Sequence, residues 1–315
     1  MIFLQTVFGL AILIAGGDFF VRGTVGAAER IGISPLIIGL TFVAFATSLP
    51  ELATSIQAAQ VQAAGIVFGN IVGSNICNLL LVLGISAMLA PISCTHRCLM
   101  RDGTLVFGTA VILVLVAFSG GLTRTIGLAL MAGLAAYLVL ALRTGQTEPA
   151  ASCSTDSSEQ PKPAGPFMSS WRIGIFIVIG LALIAVGSKF FVQGAISIAA
   201  DLGVAQSVIG ITIVALGTSL PELVTSVIAA LRGHSDLALG NVLGSNIYNV
   251  LGIGGMTGII APIDIPIEIA TFDIPVMIVT TAVALWFAVT GLRISRGEGG
   301  LLLSGYGAYM LFVWP

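Results

Sequence analysis

Two glutamates, Glu51 and Glu222, stand near the middle of long apolar runs, each directly behind a Thr-Ser-Leu-Pro sequence. A charged side chain at the centre of a bilayer costs about 2.5–3.5 kcal/mol on insertion scales, so two ionised, unpaired carboxylates would cost roughly 5–7 kcal/mol. No His, Lys or Arg stands in the middle of an apolar run, and both histidines, His96 and His234, fall in connecting segments. The counter-charge left over is a bound cation. Pro50 and Pro221 add a second kind of donor, because a proline inside a helix has no N–H to give and pushes away the carbonyl four residues earlier. That frees the carbonyls of Ala46 and Gly217 and loosens neighbours such as Ala44 and Ala215. Free carbonyls at membrane depth are tolerated only where they are buried or line a cavity. Thr47, Ser48, Thr218 and Ser219 supply hydroxyls on the same turns. Ser74 and Asn78, and their copies Ser245 and Asn249, lie four residues apart and so share a helix face. The whole set is hard oxygen, which suits Ca²⁺ with its 6–8 oxygen ligands or a Na⁺-like ion and argues against zinc or copper. Cys94-Thr-His-Arg-Cys98 resembles half a zinc site, but the sequence holds no second half.

The elements that position these residues are written twice. GLTFVAFATSLPELATS (39–55) returns as GITIVALGTSLPELVTS (210–226) with 12 of 17 positions identical, and GNIVGSNICNLLLVLG (69–84) returns as GNVLGSNIYNVLGIGG (240–255) with 9 of 16 identical. Both copies are displaced by 171 residues (210−39 and 240−69). A lone membrane proline is usually a kink, and a lone Ser or Thr usually bonds back to its own helix. A symmetric pair of broken spans, each with a matching amide helix, points instead to one site assembled from two halves.

With 57% hydrophobic and 8% charged residues and a mean hydropathy of +1.09, the chain is expected to be an all-α integral membrane protein. Spans of roughly 20 apolar residues are expected near 2–22, 34–59, 66–90, 103–118, 124–142, 172–193, 206–230, 236–260, 273–291 and 299–314. That makes ten transmembrane helices, five per repeat: 1–143 forms the first repeat, 144–170 a polar linker and 171–315 the second repeat. Arg22, Arg30, Arg97, Arg101, Arg143, Lys162, Arg172, Arg232, Arg293 and Arg296 fall at alternate connections, with only Arg124 and Lys189 on the other side. The positive-inside rule then puts both termini outside and the linker in the cytoplasm. An odd number of helices per repeat inverts the second, the arrangement of many secondary transporters. No basic segment precedes the first apolar stretch, and Phe19-Phe20-Val21 recurs as Phe190-Phe191-Val192, so the first helix is expected to belong to the fold and not to a cleaved leader.

Other repeated residues read differently. Gly9, Gly16 and Gly23, with Gly180, Gly187 and Gly194, make a seven-residue glycine stripe on the first helix of each half. The stripe reads either as close small-residue packing or as a surface on which these helices slide past the site-bearing core. Asn75 and Asn246 face away from the Ser-Asn pairs and read as helix–helix bridges. Asp18 and Lys189 occupy equivalent positions near opposite membrane faces and read as interfacial residues.

At Thr47-Ser48-Leu49-Pro50-Glu51, Thr218-Ser219-Leu220-Pro221-Glu222 and the two Gly-Ser-Asn-Ile-x-Asn runs, the chain resembles the cation/Ca²⁺ exchanger superfamily and looks most like prokaryotic sodium/calcium exchangers. The resemblance covers nearly the whole chain. It implies two inverted five-helix repeats, four ion sites between helices 2, 3, 7 and 8, and helices 1 and 6 sliding during alternating access. It also implies that Glu51 and Glu222 are shared Ca²⁺/Na⁺ carboxylates and that Ser48, Ser219, Thr47, Thr218, Ser74 and Ser245 coordinate ions. The backbones of Ala44 and Ala215 would add carbonyls, and Asn78 the central amide. Asn249 departs from the pattern, since many members place Asp there and the potassium-dependent branch relies on it. Potassium co-transport is disfavoured accordingly, and two carboxylates remain, enough to balance one Ca²⁺ or two Na⁺. The proton-coupled branch usually carries Gly-Asn-x-x-Glu where this chain has Leu-Pro-Glu, which favours Na⁺; Ca²⁺/H⁺ antiport and a cation channel are the alternatives. A membrane enzyme is not expected, because Ser48 and Ser219 have no intramembrane His or Lys to act as base. The expected partners are Ca²⁺, Na⁺ and the lipid bilayer of a prokaryotic inner or plasma membrane, with no cofactor, nucleic acid or obligate protein partner.

Overall fold

The computed structural model describes residues 2–145, 168–202 and 215–313, which are almost entirely helical. The linker expected over 144–170, with Lys162, falls almost wholly outside the described residues, as does the opening of the seventh expected span at 206–214. The first half runs α1 (Ile2–Ile31), α2 (Pro35–Thr47), α3 (Leu49–Gln60), α4 (Ala64–Leu89), α5 (His96–Phe118) and α6 (Arg124–Gly145). The second runs α7 (Ser170–Asp201), α8 (Ala215–Thr218), α9 (Leu220–Leu231), α10 (235–260), α11 (Ile269–Gly291) and α12 (Arg296–Val313). Among the described residues, six helices are long and apolar enough to cross a membrane: α1, α4, α5, α6, α7 and α11. The bent pair α2–α3 makes a seventh if it is one span. Two other expected spans are helical but less apolar, α10 because it is rich in Gly and Asn and α12 because it opens with Arg296 and Glu298.

The duplication reappears in the local structure. Helix breaks fall at Ser48 and Ser219, and turns of π-helix at Asn78–Val82 and Tyr248–Ile253. Such wide turns inside helices often mark functional positions. Among the described residues, four two-residue strands join the halves. β1 (Ile92–Ser93) pairs antiparallel with β4 (Arg293–Ile294), and β2 (Gly121–Leu122) with β3 (Ile263–Asp264). Each pairing takes one strand from each half. Gly121 approaches the Ile263 carbonyl so closely that any Cβ there would overlap it.

The glycine stripe has a definite partner. A Cβ on Gly16 would lie 2.7 Å from the backbone nitrogen of Ile184, one on Gly187 2.6 Å from that of Leu13, and one on Gly180 2.5 Å from that of Phe20. The stripes of α1 and α7 therefore face each other and bring two backbones into contact along an antiparallel pair. Of the two sequence readings, close packing is the one the geometry shows, since the stripe meets a helix of its own kind and not the core. Both helices are largely exposed, with 22% and 17% of their apolar windows buried, against 72% for α4. The α4 helix and its counterpart α10 form the centre. There α2 lies on α10 with almost no side chain between them: a Cβ on Gly240 would come within 2.5 Å of the Leu36 carbonyl, and one on Gly39 within 2.7 Å of the Leu237 carbonyl.

Candidate ion-binding site

Each broken span stops and restarts at a serine, Ser48 (φ −83°, ψ 6°) and Ser219 (φ −90°, ψ 5°), and α2 meets α3 at 44°. The spans are broken, as the sequence suggests, but the break lies before the prolines and not around them. Pro50 and Pro221 sit in the first turn of α3 and α9, where a helix has no use for the missing N–H. One expected carbonyl changes as a result. Ala44 still accepts the Ser48 N–H at 3.1 Å and has the Thr47 hydroxyl at 3.4 Å, while the Ser219 N–H turns to the Leu216 carbonyl at 3.1 Å. Ala215 opens α8, and Thr218 closes it just before the break.

Restarting the helices at this point puts Glu51 and Glu222 in the first turn of α3 and α9, at the positive end of each helix dipole. That end stabilises an anion by about 0.3–1 kcal/mol, short of the cost of a central charge. Both glutamates are 1% exposed, and their carboxylates face one another. Two facing carboxylates in a buried site repel each other as anions unless a cation compensates them. The ion pairs of Asp18 with Arg22 and Arg232, and of Arg101 with Asp102, lie elsewhere. Asp18 thus takes its charge partners away from the two glutamates.

The two halves interlock around the glutamates. Ser48 Oγ donates to Glu222 Oε1 at 3.1 Å, and the Thr47 hydroxyl lies 3.2 Å from Asn241 Oδ1 and 3.1 Å from the Val43 carbonyl. Asn241 Nδ2 donates to the Glu222 carbonyl (3.3 Å) and to Ser226 Oγ (2.9 Å); in the other half Asn70 Nδ2 donates to the Glu51 carbonyl (2.9 Å) and to Ser55 Oγ (2.8 Å). These four residues were not singled out from the sequence. The available signal was that Asn70 and Asn241 are copied polar letters one helical turn before Ser74 and Ser245. Ser74 Oγ lies 3.5 Å from Asn70 Oδ1. Asn75 and Asn246 are bridges, as their spacing suggests, but what they bridge is the site amides: Asn249 Nδ2 donates to Asn75 Oδ1 at 3.2 Å, and Asn78 Nδ2 to Asn246 Oδ1 at 3.1 Å.

Six buried oxygens on the expected residues have no hydrogen-bond partner: Glu51 Oε2, Glu222 Oε2, Asn78 Oδ1, Asn249 Oδ1, Ser219 Oγ and Ser245 Oγ. Leaving one such group unsatisfied costs about 1–3 kcal/mol; six further partnerless oxygens lie on other described residues, and what sets these six apart is that they include both buried carboxylates and the copied amides. Among the described residues no three His, Cys, Asp or Glu side chains converge on one point. Carboxylate, amide and hydroxyl oxygens together make a donor set for a hard cation.

Residues 1–143 and 173–314 match the family described as sodium/calcium exchanger protein. The chain belongs to this family. It is 36% identical to sodium/calcium exchanger MaX1 of Methanosarcina acetivorans, across 99% of this chain and 98% of that one. It is 30% identical to the inner membrane protein YrbG of Escherichia coli, across 97% and 94%. The solved structure of the sodium-calcium exchanger NCX_Mj soaked with zero Na⁺ and Ca²⁺ superposes with a TM-score of 0.84 at 31% identity, covering 98% of this exchanger and 97% of that chain. The family is one of membrane transporters, which places this multi-pass exchanger among cation/Ca²⁺ exchangers and apart from enzymes.

Proposed function

We propose that this exchanger moves Ca²⁺ against Na⁺ by alternating access, with one ion cluster built from both halves. The reading rests on the six partnerless oxygens, two from the first half and four from the second, gathered around two facing carboxylates. In it, Glu51 and Glu222 carry the charge, while Asn78, Asn249, Ser48, Ser219, Thr47, Thr218, Ser74 and Ser245 and the carbonyls of Ala44 and Ala215 complete the coordination. Two carboxylates neutralise one Ca²⁺ or two Na⁺, which makes the two ions competitors for the same charge. The ten-span, inverted reading draws support from the antiparallel packing of α1 on α7, since these are the corresponding helices of the two halves. A cytoplasmic linker with external termini draws support from Asp18, which joins Arg22 to Arg232, two of the basic residues assigned to that face.

The test is flux in proteoliposomes loaded with Na⁺ and diluted into Na⁺-free buffer, with Ca²⁺ uptake followed with and without a pH gradient. Uptake that follows the Na⁺ gradient is expected. Uptake driven only by the pH gradient would make the protein a Ca²⁺/H⁺ antiporter, and flux indifferent to both gradients would make it a channel. Glu51→Gln and Glu222→Gln should each abolish exchange while still inserting in the membrane.

A further inference from the structure

The four asparagines of the Gly-Ser-Asn-Ile-x-Asn runs form two hydrogen-bonded chains whose direction is fixed at the far end. An amide side chain has one oxygen that accepts and one nitrogen that donates, so its orientation follows from its most restrictive neighbour. Asn246 Nδ2 donates to the backbone carbonyl of Asn75 at 3.5 Å, a group that can only accept. The Asn246 oxygen must then turn toward Asn78, which answers with its Nδ2 at 3.1 Å. That commitment leaves Asn78 Oδ1 as the free end, buried and without a partner. The second chain has the same form. Asn75 Nδ2 donates to Met277 Sδ at 3.5 Å, Asn249 Nδ2 donates to Asn75 Oδ1 at 3.2 Å, and Asn249 Oδ1 is left buried and open. All four asparagines are at most 3% exposed, so no bulk water competes for these bonds.

We infer that Asn75 and Asn246 are positioning residues that turn the amide oxygens of Asn249 and Asn78 toward the cation. The inference rests on the exchanger reading of the site and adds a specificity device to it. An amide presents a ligand only when its oxygen faces the ion, because its other end carries two N–H groups that repel one. A carboxylate presents oxygen whichever way it turns. A neutral side chain at 249 is therefore a working ligand only while Asn75 holds it, and an aspartate there would not need the hold. The two anchors differ in kind, one a stretched 3.5 Å bond to a peptide carbonyl and the other a 3.5 Å bond to a thioether, a weak acceptor. The hold on Asn249 runs through Met277 on α11, outside the ion cluster.

The experiment is equilibrium Ca²⁺ binding to the purified full-length exchanger, measured by titration calorimetry, for the unaltered protein, Asn75→Leu, Asn249→Asp and the double variant. Asn75→Leu should weaken Ca²⁺ binding about tenfold, equivalent to ~1.4 kcal/mol, when residue 249 is Asn. With Asn249→Asp in place it should weaken binding by less than about twofold, a difference that a double-mutant cycle reads directly. Equal weakening in both backgrounds would overturn the inference and leave Asn75 a plain structural bridge. If the unaltered protein binds no Ca²⁺, the reading of the site fails first and takes the inference with it. Met277→Leu conserves volume and keeps the comparison decisive should Asn75→Leu not fold. It should weaken Ca²⁺ binding about threefold, ~0.6 kcal/mol, beside Asn249 and leave binding unchanged beside Asn249→Asp. The same effect in both backgrounds, or none beside Asn249, would again refute the positioning role.

Discussion

Asn241 and Asn70 occupy equivalent positions in the two halves but carry different numbers of good hydrogen bonds, so replacing each by leucine tests the geometry of the broken spans. Leucine matches asparagine in branching and in number of side-chain heavy atoms, so no cavity opens, and the overpacking cost of its bulkier methyls falls on both equivalent sites. Asn70 loses bonds of 2.9 and 2.8 Å to the Glu51 carbonyl and Ser55, and a contact with Ser74 at the 3.5 Å limit. Asn241 loses bonds of 3.3 and 2.9 Å to the Glu222 carbonyl and Ser226, and also the 3.2 Å bond from Thr47. Side-chain hydrogen bonds inside helical membrane proteins average about 0.6 kcal/mol. In hydrogen bonds alone, Asn70→Leu should then lose about 1.2 kcal/mol and Asn241→Leu up to about 1.8 kcal/mol, the Thr47 proton being shared with the Val43 carbonyl, and more in each case if the stranded serine hydroxyl, 0% exposed in both copies, finds no new partner. The extra loss at Asn241 belongs to the Thr47 bond, which crosses between the halves. Reversible unfolding in mixed micelles, followed by far-UV circular dichroism, measures both values. In a Thr47→Val background the cost of Asn241→Leu should fall by about 0.6 kcal/mol. An Asn70→Leu cost equal to or above that of Asn241→Leu, or no change with Thr47→Val, would refute this account of how the halves are tied.

Gly187→Ala puts a Cβ 2.6 Å from the Leu13 nitrogen and should push α1 and α7 apart, lowering thermal stability, whereas Gly108→Ala, in open space inside α5, should keep or slightly raise it; a thermal-stability screen of the purified protein compares them. Asp18→Asn removes the pairs with Arg22 and Arg232, and because these groups are 28–49% exposed it should cost no more than about 1 kcal/mol while altering exchange rate more than Ca²⁺ affinity. Apparent Ca²⁺ affinity should fall on acidification, since protons and Ca²⁺ compete for the same two carboxylates, and Glu222→Gln should flatten that dependence in a binding assay run across pH.

The candidate site left a clearer trace in the sequence than the scaffold around it. Glu51, Glu222, Asn78 and Asn249 could be found because a polar residue surviving twice in an apolar chain needs a reason, and the structure leaves an open oxygen on each of them. The break in the span is legible at Pro50, but its exact place is not, because a proline before a carboxylate looks the same whether it lies inside a helix or starts one; only the backbone at Ser48 separates the cases. Asn70 and Asn241 were passed over because their bonds run to α3 and α9, and a sequence lists neighbours along the chain but not across it. The same limit hid the partner of the glycine stripe. Seven-residue spacing identifies a smooth face, but it was the fit of Gly180 against Phe20 and Gly187 against Leu13 that showed what the face meets.

That seam has a symmetry with an energetic consequence. Gly9 meets Phe191, Leu13 meets Gly187, Gly16 meets Ile184, Phe20 meets Gly180 and Gly23 meets Ile177, so the two residue numbers in every contact add to 200. Exchanging the halves turns the contact of Gly9 with Phe191 into that of Gly180 with Phe20, and the seam maps onto itself. Any two states of the exchanger that differ by swapping the roles of the halves therefore share this glycine-on-backbone pattern, and the seam can favour one of them only through side chains that differ at equivalent positions, such as Thr6 against Gly194 and Ile177 against Gly23. A preference for one side of the membrane has to arise where the halves differ. Position 18 is such a place: Asp18 clasps Arg232 at one end of the pair, while at the equivalent position of α7 the chain carries Lys189, a charge of opposite sign.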